Sequence, residues 1–141
     1  AAEAGVALVL DDPGTVAVTA SPGALEQILD NLVDNALGVA PSGSTVRISV
    51  ERGTEAGTVE LHVADEGPGL SEEQRARAMD RFWRGPAAEP GGTGLGLAIV
   101  AQLAGRSGGR AELRAAPTGG IDAVVTVPEA DPAELGTFTS R

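Results

Sequence analysis

The chain has 141 residues, a length that suits one domain with a core of its own. Its formal net charge of −10 argues against a nucleic-acid-binding surface, because phosphate backbones are bound by clustered Lys and Arg. The lack of cysteine excludes disulfides and thiolate chemistry, no apolar run approaches the roughly 20 residues of a membrane span, and no signal peptide is visible. We therefore expect a soluble, cytoplasmic domain that makes no membrane contact itself, within a parent protein that could be membrane-anchored.

Hydrophobic periodicity predicts the elements of the first half of the chain. Short strands are predicted at residues 6–10 and 15–19, on either side of an Asp-Asp-Pro-Gly turn. A helix follows, with Ser21 as its N-cap, Pro22 in its first turn and apolar residues at helical spacing as far as Ala36. Alternating patterns then predict two strands, around residues 46–50 and 59–63, that pair through a glycine-bounded turn.

The second half of the chain continues the alternation of helices and strands. Ser71 and Gln74 form a capping-box pattern that predicts a short helix towards Arg81. A longer helix is predicted from about residue 95 to 106, and a hairpin of two strands at 110–115 and 121–127. The fold class is therefore α/β, a two-layer sandwich with a mixed sheet. We expect residues 1–128 to form the domain and residues 129–141 to be a flexible C-terminal tail.

The most informative segment is the glycine-rich stretch at residues 91–96, which holds four glycines in six positions and leads into an apolar run. Glycine lets backbone N–H groups approach a ligand closely, and a helix that begins here would direct its positive end at an anion such as phosphate. Three further motifs precede it. They are Leu-Glu-Gln-Ile-Leu-Asp-Asn-Leu-Val-Asp-Asn-Ala at 25–36, Asp-Glu-Gly-Pro-Gly-Leu at 65–70 and Asp-Arg-Phe-Trp-Arg-Gly at 80–85.

In this order the four motifs resemble the N, G1, F and G2 boxes of the ATP-binding domain of sensor histidine kinases. That domain belongs to the GHKL superfamily, together with gyrase-type topoisomerases, Hsp90 and MutL. The resemblance extends from about Leu8 to Pro128. It implies the Bergerat fold, in which three helices cover one face of a mixed sheet and the nucleotide lies between the layers. It also implies ATP and Mg²⁺ as ligands.

The resemblance gives roles to individual residues, each of which also has a purely structural alternative. Asn35 would offer its side-chain oxygen to Mg²⁺, rather than only capping nearby backbone. Asp65 would accept a hydrogen bond from the 6-amino group of adenine and so favour ATP over GTP, rather than only starting a turn. Arg84 would approach the γ-phosphate when a lid at residues 85–92 closes. The remaining predicted nucleotide contacts are Asn31, Gly67, Gly69, Gly92, Thr93, Gly94, Leu95, Gly96 and Leu97.

Asn31 and His62 bear on the kind of chemistry. Asn31 stands where the ATP-hydrolysing branches of the superfamily have a Glu that activates water, and an amide cannot take a proton. His62, the sole histidine, is predicted to lie solvated on the outer face of its strand. The resemblance instead places the phospho-acceptor on a separate histidine-containing dimerisation domain, with a response regulator downstream. The isolated chain is therefore not expected to phosphorylate itself.

Gly38 and Val39 depart from the family pattern, which has a basic residue followed by an aromatic one. Two explanations are open: a phosphate contact is missing, or Gly38 is a left-handed C-cap of the first helix. The missing contact motivates an alternative function, a nucleotide-binding regulatory module with little kinase activity. A second alternative, an anti-sigma-factor serine kinase, is disfavoured by Asn31 and by the Arg-Phe-Trp-Arg sequence.

Overall fold

A computed structural model describes residues 6–10, 18, 23–78, 96–117 and 119–129. Five strands and three helices lie in these ranges, and the elements predicted there are confirmed to within a few residues. Of the strand predicted at 15–19, the described part is Val18, which forms an antiparallel bridge with Glu129. In chain order the elements are β1 Ala7–Leu10, α1 Ala24–Val39, β2 Thr45–Arg52, β3 Thr58–Ala64, α2 Glu72–Arg77, α3 Gly96–Arg106, β4 Arg110–Ala115 and β5 Ile121–Pro128.

The sheet is mixed, as predicted, with the strand order β1-β2-β3-β5-β4. β1 runs parallel to β2, and the other neighbouring strands are antiparallel. Tight turns join β2 to β3 and β4 to β5. In the first of them the Gly53 N–H donates to the Thr58 carbonyl at 2.8 Å and Gly57 has a φ of 78°, a left-handed conformation that glycine adopts without strain.

The hydrophobic core lies between one face of the sheet and the helices. The alternation of β3 directs Val59 and Val63 to this face, and both are at most 2% exposed. Ile28 and Leu32 of α1 and Val100 of α3 meet them in the same buried cluster. The predicted two-layer sandwich is confirmed, and we call the sheet face away from the helices the outer face.

The first helix does not begin where its sequence pattern predicts. α1 begins at Ala24, and its N-cap is Gly23, with a φ of 78° and no side-chain cap. The prediction of Ser21 as N-cap is therefore wrong, since the cap lies two residues further along; Ser21 and Pro22 themselves lie outside the described residues. The capping box of α2 is confirmed, because the Ser71 side chain accepts from the Gln74 N–H and the Gln74 side chain accepts from the Ser71 N–H.

His62 lies on the outer face as predicted, but the prediction that it is solvated is wrong. It is only 9% exposed, because carboxylates from β2, β3 and β5 surround its ring. Its Nδ1 lies 2.8 Å from an Asp122 oxygen and its Nε2 lies 2.9 Å from a Glu60 oxygen. The hydrogen bond to Asp122 raises the pKa of His62, against the opposing effect of burial.

Glu129, the first residue after β5, is attached to the β2–β3 hairpin. The Glu129 N–H donates to the Gly57 carbonyl at 2.8 Å, and its carboxylate pairs with Arg52. Residues 130–141 lie outside the described residues, so the flexible tail stays a prediction. None of the three helices is long and apolar enough to cross a bilayer.

Candidate functional site

Asp65 is a buried carboxylate at the end of β3, only 3% exposed. Its Oδ1 accepts from the Gly67 N–H at 2.8 Å and from the Ile121 N–H at 3.2 Å. Its own N–H donates to the Ile121 carbonyl at 2.9 Å. Burial raises the pKa of Asp65, and the hydrogen bonds from Gly67 and Ile121 oppose that rise. The structure therefore fixes the orientation of an acceptor whose charge is poorly solvated.

Glycines allow this close approach of backbone to Asp65. A Cβ at Gly120 would overlap both the carbonyl oxygen and Oδ1 of Asp65, and a Cβ at Gly67 would lie 3.1 Å from Oδ1. Gly69 has a φ of 75°, and a Cβ there would lie 2.6 Å from the Gly119 carbonyl oxygen. The loop after β3 is thus packed against the β4–β5 turn. Gly120 is not predicted from the sequence, in which its only signal is a Gly-Gly pair in a predicted hairpin turn.

Asn31 and Asn35 lie one turn apart on the same side of α1, with Val39 one turn further on. Asn31 is partly buried and Asn35 is exposed. The Asn31 Oδ1 lies 3.9 Å from where a Cβ on Gly96 would be, and the Val39 carbonyl oxygen lies 2.9 Å from such a position on Gly67. This edge of α1, about 12 Å long from Asn31 to Val39 at 1.5 Å per residue, therefore joins the start of α3 to the loop after Asp65.

The remaining predicted site residues divide into two groups. Leu97 is partly buried and packs against the core, so its observed contact is structural and its contact with ligand stays a prediction. The others lie outside the described residues, together with the proposed lid at 85–92. They are Arg84, Gly92, Thr93, Gly94 and Leu95.

Gly38 is helical, and this excludes one of its two explanations. α1 continues to Val39, and its C-cap is Ala40, with an extended backbone at φ −71° and ψ 128°. The residue before a proline favours that conformation, and Pro41 follows. The left-handed C-cap is therefore wrong, and Gly38 presents no side chain near the exposed edge that carries Asn35.

Comparison with known proteins agrees with this geometry. The sequence pattern of the histidine kinase-, DNA gyrase B- and HSP90-like ATPases matches residues 20–131. The chain belongs to this family. Among curated proteins it is similar to the swarming motility regulation sensor protein RssA of Serratia marcescens, with 39% identity over 92% of the chain. That match covers 28% of RssA, so the chain spans less than a third of this relative's length.

Solved structures place the chain among the catalytic domains of sensor histidine kinases. The ATP-binding domain of PrrB from Mycobacterium tuberculosis superposes with a TM-score of 0.69 and 29% identity, covering 89% of this chain and 82% of that one. Full-length ShkA, crystallised in complex with AMPPNP, superposes with a TM-score of 0.77 and 28% identity. The match covers 99% of this chain and 28% of ShkA. The predicted α/β fold and its family are thus confirmed.

Proposed function

We propose that the chain is the catalytic, ATP-binding domain of a sensor histidine kinase, and that it presents the γ-phosphate of Mg–ATP to a histidine on a separate dimerisation domain. The observation that carries the proposal is the buried Asp65 carboxylate, held at the end of β3 by two backbone N–H groups. The AMPPNP complex of the related ShkA supports a nucleotide in this fold. A response regulator would receive the phosphoryl group afterwards.

Asp65 would recognise adenine. A carboxylate can only accept hydrogen bonds, and the 6-amino group of adenine is a donor. Guanine presents a carbonyl oxygen at that position, which would face the carboxylate as a second acceptor. Gly67 and Gly69 would leave the backbone after β3 without side chains beside the base. Their observed contacts are within the protein, since a Cβ would lie 2.9 Å from the Val39 carbonyl oxygen at Gly67 and 2.6 Å from the Gly119 carbonyl oxygen at Gly69. The buried acceptor and the narrow loop together fit a purine with an exocyclic amine.

The edge of α1 between Gly96 and Gly67 would hold the phosphates and Mg²⁺. Asn35 is an exposed amide oxygen donor on this edge, and Mg²⁺ prefers oxygen ligands and keeps several of its waters. When bound, Mg²⁺ would neutralise charge on the phosphate oxygens. Asn31 would contact the nucleotide beside the start of α3, whose N-terminal N–H groups favour an anion. From outside the described residues, Gly92, Thr93, Gly94 and Leu95 would add the glycine-rich loop, and Arg84 would approach the γ-phosphate.

The chain's share of catalysis would be positioning and charge stabilisation. Asn31 has no proton-accepting group, so it would not activate water for hydrolysis. His62 is a poor phospho-acceptor, because it is buried among carboxylates on the outer face of the sheet. The accepting histidine and the base beside it would both belong to the dimerisation domain.

Two calorimetric variants test the metal assignment. Asn35→Ala should remove most of the gain in ATP affinity that Mg²⁺ gives and leave the affinity without Mg²⁺ nearly unchanged. Gln27→Ala, which removes an exposed amide elsewhere on α1, should change neither. An Asn35→Ala protein with the full Mg²⁺ effect would contradict the assignment. For the activity, labelled ATP should yield acid-labile phosphate on an added dimerisation domain and none on the chain itself.

Gly38 supports a second candidate, a regulatory module that binds nucleotide but transfers little phosphate. Gly38 lies inside α1 and has no left-handed conformation that would require a glycine. The absence of the family's basic residue would therefore weaken phosphate binding without changing the fold. Nucleotide binding without phosphate transfer to any dimerisation domain would favour this candidate over the kinase.

A further inference from the structure

The outer face of the sheet carries a second cluster of ligating groups, on the side of β3 opposite to the core residues Val59 and Val63. His62 on β3 directs its Nε2 at two carboxylates, with Glu60 Oε1 at 2.9 Å and Glu51 Oε1 at 3.1 Å. The strand register brings these three side chains together, because Glu51 pairs with Glu60 and lies diagonally across from His62. Three potential ligand atoms from two strands thus converge on one point.

The spacing of these atoms suits a metal ion. The three atoms all lie within 4.8 Å of one another. Zinc bonds to His nitrogen and carboxylate oxygen are about 2.0–2.2 Å long, so two ligands of a tetrahedral zinc ion are about 3.3–3.6 Å apart. The observed separations from Nε2 are within a few tenths of an ångström of this range. Imidazole combined with carboxylates favours transition metals such as zinc over Mg²⁺.

The surroundings of His62 have the organisation of an outer coordination shell. The Asp122 carboxylate of β5 lies 2.8 Å from Nδ1, the nitrogen that faces away from the two glutamates. A carboxylate that accepts a hydrogen bond from Nδ1 fixes the orientation of the ring and makes Nε2 a better metal ligand. Thr126 of β5 pairs with Glu60, on the opposite side of β3 from the solvent-exposed Glu51. Thr126 is only 2% exposed, and its hydroxyl has no hydrogen-bond partner in the described part of the chain. The Thr126 hydroxyl is therefore a buried polar atom next to Glu60 that lacks a partner among the described residues.

Carboxylates dominate the surroundings of His62 on the outer face. Glu51, Glu60 and Asp122 surround one imidazole, and the Arg114 guanidinium lies 3.6 Å from Glu60 while it also pairs with Glu112. Glu60 is 3% exposed, and a buried carboxylate needs compensation, which His62 and Arg114 give it in this structure. The Glu51 side chain is 62% exposed and leaves the cluster open to solvent on one side.

We propose that Glu51, Glu60 and His62 bind a divalent transition-metal ion of the zinc type, with Asp122 as the residue that positions His62. The ion would join β2 to β3 and, through Asp122, to β5. The site is separate from the proposed nucleotide site and does not depend on it.

Zinc chloride is the probe, added to the untagged chain at pH 8 without ATP, which would chelate it. We expect one zinc ion per chain in calorimetry. His62→Gln and Glu60→Gln should each weaken binding at least tenfold, and Asp122→Asn about tenfold, the lower end of the range for outer-shell partners. Because His62 is the sole histidine, its ring ¹⁵N resonances report directly on whether zinc occupies Nε2.

Glu55→Gln is the matched control, because it removes one exposed carboxylate in the β2–β3 turn outside the cluster. It should leave zinc affinity unchanged, and cooperative thermal denaturation without zinc should show that each of the four variants is folded. Zinc binding that His62→Gln does not weaken, or histidine resonances that zinc does not move, would overturn the proposal. The cluster would then be an imidazolium held by carboxylates.

Discussion

Replacing Asp65 by Asn separates the charge of this residue from its structural role. Oδ1 accepts from the Gly67 and Ile121 N–H groups, so the amide oxygen of the introduced asparagine should take that place and its NH₂ group should take the place of Oδ2. A donor would then face the 6-amino group of adenine. The loss of a hydrogen bond to a charged acceptor is worth about 1.5–3 kcal/mol, which corresponds to a fall in ATP affinity of tenfold or more.

Stability should respond in the opposite direction. Because burial raises the pKa of Asp65, the folded state binds its proton more tightly than the unfolded state does. The ionised carboxylate therefore destabilises the fold, and this effect grows as pH rises from about 4 through the raised pKa. Without nucleotide, the Asn variant should be at least as stable as the wild type, and its advantage should be larger at pH 7 than at pH 4. Thermal denaturation measures this difference.

Calorimetry with two nucleotides completes the test. ATP should bind the wild type at least tenfold more tightly than the Asn variant, whereas a purine triphosphate with only hydrogen at C6 should bind both nearly equally. Asp30→Asn, an exposed neutralisation on α1, is the control and should change neither affinity. Wild-type ATP affinity in the Asp65→Asn protein, or an equal loss for both nucleotides, would refute the assignment of Asp65 to adenine.

Three further predictions concern Gly38, Gly120 and the isolated chain. Gly38→Lys should raise the melting temperature without nucleotide, because Gly in a helix interior is less favourable than Lys by roughly 0.5–1 kcal/mol, and it should also tighten ATP binding by calorimetry if a phosphate contact is restored. Gly120→Ala should destabilise the chain by about 1–3 kcal/mol in denaturant unfolding and weaken ATP binding, because its Cβ overlaps Asp65. Gly105→Ala in α3, where a Cβ meets nothing within 4 Å, should instead be neutral or stabilising. The isolated chain should neither label His62 nor turn over labelled ATP rapidly.

Each of these has an outcome that contradicts it. A lower melting temperature for Gly38→Lys would mean that α1 does not accept a side chain there, and higher stability with unchanged affinity would show that this site needs no basic residue. Equal effects of the Gly120 and Gly105 substitutions would argue against the close packing around Asp65. Rapid release of phosphate would mean that a group other than Asn31 activates water.

Local patterns in the sequence predict most of the fold because they act over a few residues. The alternation in β3 and the capping box of α2 are complete within their own segments, and both are confirmed. The start of α1 was missed because Ser-Pro is a strong local signal, whereas the cap is a glycine with a left-handed backbone. A glycine cap has no side chain from which it could be recognised.

The remaining differences come from contacts between residues that are distant in the chain. The burial of His62 depends on Asp122, 60 residues away, and on Glu51 from a neighbouring strand. Period-two alternation gives the face of a residue but not what surrounds it. Gly120 owes its role to contact with Asp65 across the sheet, which no hairpin pattern contains. The predicted roles of Asn35 and Asp65 came from motif resemblance, and the structure adds the geometry on which their tests depend.

The most direct test of the central claim is a calorimetric titration of the wild-type chain with ATP and with GTP, each with and without Mg²⁺. A carboxylate acceptor at Asp65 and an amide ligand at Asn35 predict one ATP per chain, tighter binding when Mg²⁺ is present, and GTP affinity at least tenfold weaker. Equal affinity for ATP and GTP, or no binding of either, would contradict the account.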